Sequence, residues 1–191
     1  MIATHNSFTY KRSTNKLFEY FNCFWRCQTK TIKEQFDSGV RFFDIRVYKK
    51  KDSWNFAHGL VNLYGGVNSL EVLYRYLCMT FPSVKCRLIL EKGDSSTFIE
   101  EINSLKDKYE SFGNVVYQCI IKKGWEIIYS SNEDFQIIDY CYTPIISNKS
   151  LLYNLTHFKI STIKRYAKKH NPIITQKMKE DVHVIYFMDF I

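Results

Sequence analysis

Gly39-Val-Arg-Phe-Phe-Asp-Ile-Arg-Val-Tyr48 is the stretch whose reading decides the fold. From Arg41 to Tyr48 it is aromatic and β-branched; it follows a glycine and runs out into Lys49-Lys50-Lys51, which predicts a strand. Asp44 and Arg46 are two apart and share one face, while Phe43, Ile45 and Val47 take the other. Charges on the face of so apolar a strand are costly unless they meet each other or a ligand. The strand is therefore expected to be covered on both sides and to carry an ion pair that braces the fold, a reactive site, or both.

Outward from this strand, β-like and helical runs alternate. A short strand over 54–57 ends at His58-Gly59. Leu70, Leu73, Tyr74, Leu77, Cys78 and Phe81 keep helical spacing until Pro82 stops them. A strand over 87–91 follows, then Thr97-x-x-Glu100, which resembles a capping box opening a helix with Phe98, Ile102, Leu105 and Tyr109 on one side. Further strands are expected over 115–121 and 135–138. A helix is expected over 151–169, with Leu155, Phe158, Thr162 and Tyr166 on its apolar side and Lys164, Arg165, Lys168 and Lys169 near its end. The last strand is expected over 183–190. Alternation of this kind implies parallel βα units in an α/β fold, and about seven strands suit a barrel better than an open sheet. Helices are sparse between the first strands, and 191 residues fall below the ~200 to 250 of a full eight-unit barrel. A reduced or irregular TIM-type barrel, one domain over 1–191, is the expectation.

Composition narrows the function classes. The chain is 46% hydrophobic and 17% aromatic, with a net charge of +8, so a disordered or collagen-like chain is excluded. No apolar run reaches the ~18 residues of a membrane span. No basic region followed by an apolar stretch opens the sequence, so no export signal is expected and the protein is placed in the cytoplasm or peripherally at membranes. The six cysteines, at 23, 27, 78, 86, 119 and 141, are irregularly placed and read as reduced thiols; Cys23 and Cys27 have no second pair at a zinc spacing, so buried thiols are preferred to a metal pair.

In a barrel the working residues lie at the C-terminal ends of the strands. Those ends supply His5, Asp44 with Arg46, His58, Glu91 with Lys92, Asp139 and Asp189. Cleavage of a phosphodiester by a neighbouring hydroxyl needs a base, an acid and a cation for the charge on phosphorus, and His5, His58 and Arg46 offer all three. His157, His170 and His183 are read as packed or solvated residues.

Four ordered motifs, Ala3-Thr-His-Asn-Ser7, Gly39 to Val47, Phe56-Ala-His-Gly59 and Phe187-Met-Asp-Phe-Ile191, resemble the X-domain of phosphatidylinositol-specific phospholipases C, in particular the small bacterial-type, metal-independent branch. Between 60 and 182 the resemblance is one of element order only. It implies an irregular TIM-type barrel and cleavage of phosphatidylinositol in two steps. His5 would deprotonate the inositol 2-hydroxyl, Arg46 neutralise the phosphate and His58 protonate the diacylglycerol oxygen, giving inositol 1,2-cyclic phosphate. Asp189 would orient His5 and Asp44 would support Arg46 and His58. Asp139 with Tyr140 or Tyr142, together with Glu91 and Lys92, would contact the headgroup.

Two positions depart from that pattern. Asn6 stands where bacterial members usually have Asp, and cannot share a proton. Glu91 stands near a position that is Glu in the calcium-dependent branch and Lys in the bacterial one. Asn6, Asp44 and Glu91 could together ligate Ca²⁺, but Arg46 would repel the ion, so no cofactor is expected. The charge suits an anionic phospholipid surface as partner, with no specific protein partner inferred and nucleic acid less favoured. Aromatic side chains among Tyr10, Trp25, Trp54, Tyr64 and Trp125 would serve such a surface where exposed. Two other readings stay open: a phosphodiesterase acting on another glycerophospholipid or sphingolipid, and a catalytically impaired barrel that binds phosphoinositides or membranes.

Overall fold

The computed structural model describes residues 1–109, 116–123, 126–130, 136–139, 162–180 and 184–191. In chain order the elements are β1 (Ile2–Thr4), α1 (Lys16–Tyr20), a 3-10 turn (Asn22–Phe24), α2 (Ile32–Asp37), β2 (Phe42–Lys50), β3 (Ser53–His58), β4 (Val61–Val67), α3 (Leu70–Thr80), β5 (Lys85–Lys92), α4 (Ser95–Lys108), β6 (Val116–Lys123), β7 (Glu126–Ser130), β8 (Gln136–Asp139), α5 (Ile163–Glu180) and β9 (Val184–Met188).

One sheet runs β7-β6-β5-β2-β1-β9-β8. All of these strands are parallel except β7, which is antiparallel to β6. β2 pairs with β5 from Phe42 to Tyr48, gives Phe42 and Phe43 to β1, and pairs Val47 to Lys50 antiparallel with β3. β1 and β3 thus meet β2 end to end, which brings the residue after β1 and the last residue of β3 to the same place. Those residues are His5 and His58. Among the described residues no ladder joins β7 to β8, so the expected barrel is seen here as a mixed α/β sheet rather than a closed ring.

The period-two pattern of β2 separates two kinds of packing. Phe43, Ile45 and Val47 join the main core with Leu73 and Leu77 of α3 and Phe98 and Ile102 of α4, where each fully buried Leu, Ile or Phe contributes roughly 1.5–3 kcal/mol. Phe42 packs with Ala3, Ile185 and Phe187 in a separate cluster, and Asp44 and Arg46 follow it along the same face.

Several elements differ from expectation for identifiable reasons. α4 opens at Asp94, whose carboxylate accepts from the backbone N–H groups of Ser96 and Thr97; the expected cap, Thr97, lies in the first turn and itself donates to Asp94. β4 was not expected, because Val61-Asn-Leu-Tyr-Gly-Gly-Val67 holds two glycines and three consecutive exposed residues. It forms through a two-residue turn at Gly59-Leu60, with Gly59 at a φ of 57°. The helix expected over 151–169 is described only as α5 from Ile163, and it continues through Pro172 to Glu180. Its buried side is Ile163, Ala167 and Ile174 rather than Tyr166, and Lys164, Arg165, Lys168 and Lys169 lie in its first half. Tyr140, Tyr142, Cys141, Trp125, His157 and the start of that helix lie outside the described residues. Trp25 and Trp54 are core residues, whereas Tyr64 is exposed. Among the described residues the cysteines are free thiols, with Cys23 exposed and Cys27 buried rather than paired, and no helix is long and apolar enough to cross a membrane.

Candidate active site

His5 follows β1, and its backbone N–H donates to Met188 O at 3.0 Å. The amide of Gln28 donates to both His5 O (3.2 Å) and Met188 O (2.9 Å), tying the chain before the site to the strand after it. On this base the imidazole Nδ1 lies 2.9 Å from Asp189 Oδ1. Nε2 lies 2.7 Å from Arg46 Nη2 and 3.1 Å from Asn6 Nδ2. A guanidinium and an amide nitrogen only donate, so Nε2 holds the lone pair and Nδ1 carries the proton that Asp189 accepts. That tautomer leaves Nε2 as the basic atom.

Asn6 has a φ of 48°, in the left-handed region that Asn tolerates better than most residues. Its carbonyl accepts from Thr9 N–H (2.9 Å) and Thr9 Oγ1 (2.7 Å), which holds this turn.

Arg46 is fixed from two sides. Its Nη1 donates to Glu91 Oε1 at 3.0 Å and its Nη2 to Asp44 Oδ2 at 3.1 Å. Asp44 also accepts from Arg87 Nη2 at 2.9 Å, while the Arg87 guanidinium lies 3.9 Å from the centre of the Phe187 ring. Burial alone would raise the Asp44 carboxyl, but the charges of Arg46 and Arg87 outweigh it and hold it well below the usual carboxylate range. The acidic residues considered as calcium ligands are therefore engaged: both Asp44 and Glu91 pair with the guanidinium of Arg46, a donor set for a cation already in place.

His58 ends β3 and meets His5 edge to face at 5.9 Å between ring centres. Its Nδ1 donates to Trp25 O at 2.6 Å, which leaves Nε2 with a lone pair. Burial first, then the charge of Arg46, pushes its pKa well below 6.5, so the unliganded imidazole is neutral at pH 7.

His5, Arg46 and His58 line one cavity of about 530 Å³, shared with Asp189, Glu91, Lys92 and Lys122. Lys92 is exposed at the edge and reaches Asn62 Oδ1 at 3.3 Å. Asp139 ends β8, its Cα paired with that of Phe187. The structure thus brings His5, Asn6, Asp44, Arg46, His58, Glu91 and Asp189 into one network with Lys92 beside it. Sequence reasoning missed Lys122, Arg87, Gln28 and Cys27. For Lys122 a signal existed, a Lys at the end of a strand; burial, then the nearby charge of Arg46, lowers its pKa. Gln28 and Cys27 come from an irregular segment with no pattern to flag them. The apolar wall of the cavity includes Leu17, Phe21, Phe24 and Leu60, all exposed.

No protein-family model and no curated protein matches the chain. Solved structures do. The phosphatidylinositol-specific phospholipase C of Listeria monocytogenes superposes with a TM-score of 0.60 at 14% identity, over 100% of this chain and 87% of that one. Two mutant forms of the phosphatidylinositol-specific phospholipase C from Staphylococcus aureus give TM-scores of 0.63 and 0.61, both at 15% identity and over 100% of this chain, covering 85% and 84% of theirs. The resemblance carried by the four motifs therefore extends to the fold: over the described residues this chain has the fold of those structures.

Proposed function

We propose that the protein is a phosphodiesterase that cleaves phosphatidylinositol-type phospholipids by acid–base catalysis at His5 and His58. The observation that carries this reading is the convergence of a carboxylate-held imidazole (His5 with Asp189), a second imidazole and a buried guanidinium on one cavity. His5 Nε2 takes the proton of the inositol 2-hydroxyl, and Asp189 stabilises the resulting imidazolium through Nδ1–H. Arg46, already oriented by Asp44 and Glu91, meets the phosphoryl oxygens. The 2-oxygen bonds to phosphorus, the bond to the glycerol oxygen breaks, and that oxygen takes a proton from His58. Diacylglycerol leaves and inositol 1,2-cyclic phosphate forms.

His58 is neutral in the free site, so it must gain its proton in the complex. A bound phosphodiester supplies the means, since its negative charge offsets Arg46, one of the groups that depress the His58 pKa. Glu91, Lys92, Lys122, Asp139, Tyr140 and Tyr142 are proposed to face the headgroup, with no cofactor. The exposed Leu17, Phe21, Phe24 and Leu60 at the mouth and the net charge of +8 suit a protein that works peripherally on an anionic phospholipid surface. As part of this reading the sheet closes as an irregular barrel.

The neutral His58 and the Asn at position 6 favour one alternative, a phosphoinositide-binding barrel without turnover. Phosphatidylinositol vesicles with and without EDTA, followed by phosphorus NMR, separate the two. Cyclic phosphate forms if the proposal holds, and His5→Ala or His58→Ala lowers its rate by about 10²-fold or more. Binding without any cyclic phosphate refutes it in favour of the alternative.

A further inference from the structure

One side chain of the cavity has no part in the chemistry above. Cys27 is 1% exposed and is held at both backbone ends: its N–H donates to Thr9 Oγ1 at 3.0 Å, and its carbonyl accepts from Phe190 N–H at 2.7 Å. The thiol donates to Trp25 O at 3.5 Å. One nitrogen of His5, the sulfur of Cys27 and one oxygen of Asp189 all lie within 4.8 Å of one another.

A second observation points to a ligand. Asp189 is 2% exposed, and while its Oδ1 faces His5, its Oδ2 has no hydrogen-bond partner among the described residues. A buried carboxylate oxygen left open costs free energy unless something else meets it.

We propose that Cys27, His5 and Asp189 form a site for a thiophilic divalent cation of the Zn²⁺ class, and that occupancy switches off the basic nitrogen of His5. Sulfur, imidazole and carboxylate are the ligand types of zinc and its neighbours, not of Ca²⁺ or Mg²⁺, and three protein ligands facing a cavity leave a fourth position for water. Zinc bond lengths of ~2.0–2.3 Å place tetrahedral ligand atoms roughly 3.3–3.7 Å apart. Atoms as far as 4.8 Å apart must therefore close by up to about 1.1–1.5 Å, while His5 Nδ1 and Asp189 Oδ1, at 2.9 Å, must open to admit the ion. Their backbones are already cross-tied through Gln28 to His5 and Met188 and through Phe190 to Cys27, and such support strengthens metal sites.

The proposal assigns the metal to Nδ1, the nitrogen that lies 2.9 Å from Asp189 Oδ1. Burial pushes the Cys27 thiol up to about 12, so it is protonated in the free protein and releases that proton to solvent when sulfur binds the metal. The imidazole stays neutral by moving its proton from Nδ1 to Nε2, where it displaces the contacts from Arg46 and Asn6. An Nε2 that carries a proton cannot accept one from a hydroxyl. Binding stands independently of the proposed phosphodiesterase activity; its effect on turnover rests on that activity.

The test uses the full chain. Titration with Co²⁺ is expected to give a saturable thiolate-to-metal absorption band at one equivalent, discharged by Zn²⁺. Cys27→Ser is expected to abolish the band, Asp189→Asn to weaken affinity tenfold or more with the thiol intact, and Cys23→Ser to leave it unchanged, with circular dichroism showing that each variant folds. No saturable band, or one that survives Cys27→Ser, overturns the site. Inhibition of cyclic phosphate formation by Zn²⁺, reversed by EDTA, supports the switch; a Zn²⁺-loaded protein that turns over at the metal-free rate overturns it. Metal binding by a protein with no turnover at all supports the site and refutes the activity instead.

Discussion

Asp44→Asn tests the buried charge network directly. Asp44 is 0% exposed and accepts from Arg46 at 3.1 and 3.4 Å and from Arg87 at 2.9 Å. Removing its charge leaves two buried guanidiniums with less compensation, and breaking such a pair costs about 3–5 kcal/mol. At roughly 2–4 °C per kcal/mol for a chain of this size, the midpoint of thermal unfolding should fall by about 6–20 °C. The pH dependence gives an independent signature. A carboxyl held below its unfolded pKa of ~3.9 contributes stability that is fully present above that value and is lost as pH falls through the folded one. Wild type should therefore lose stability steeply below about pH 4, and Asp44→Asn should flatten that slope. Urea unfolding from pH 2 to 7 measures both effects. Adding Arg87→Met to Asp44→Asn should recover part of the loss, because one uncompensated charge is then gone. A single variant within about 1 kcal/mol of wild type, with an unchanged acid slope, refutes the view that Asp44 holds the two arginines by charge.

His58 should titrate below 6.5 in the free protein by proton NMR and move upward when inorganic phosphate or an inositol phosphate is added; a free value at or above 6.5 contradicts the burial and Arg46 argument. Because its folded pKa is depressed, His58 contributes stability present above ~6.5 and lost as pH falls below it, so the wild-type pH profile should bend there and the His58→Phe profile should not. A Cβ on Gly66 would stand 2.4 Å from Trp54 O, so Gly66→Ala should destabilise by about 1–3 kcal/mol in urea titrations, and a neutral result would mean that the hairpin shifts freely. Leu17→Ala with Phe21→Ala, at residues 64% and 46% exposed, should weaken sedimentation with anionic vesicles at least tenfold, since each inserted side chain contributes roughly 1.5–3 kcal/mol; unchanged binding would exclude α1 from the lipid contact.

What the sequence made legible was local chemistry with a strong period. β2 declared itself through Asp44 and Arg46 on one face and Phe43, Ile45 and Val47 on the other, and α3 through apolar spacing ended by Pro82. The grouping of His5, His58 and Asp189 followed from their places at strand ends, and Arg46 joined them through the face it shares with Asp44 within β2. Less legible were the features that tertiary contacts decide. β4 is half exposed and glycine-bearing, and exists because its hairpin with β3 supplies the ladder. α5 continues through Pro172, where Asn171 donates to Asp189 O at 2.8 Å and Ile174 is buried, so docking outweighs the propensity to stop. Cys27 and Gln28 reach the site from a segment without period. The neutral state of His58 depends on burial and on Arg46, neither of which is visible in the residue itself.

The short central strand has a consequence for how the molecule is made. β1 is flanked by β2 and β9, and the bond between His5 and Asp189 spans 184 positions of chain. Pairings so distant must bear a large loop-closure entropy before they return any stabilisation, which slows folding. A chain still emerging from the ribosome can shape β2 to β5, yet it holds no His5–Asp189 pair until β9 and Asp189 have emerged and docked. Recovery of the Nδ1-bound imidazole proton in a refolding experiment would therefore mark the last event of folding, not an early one.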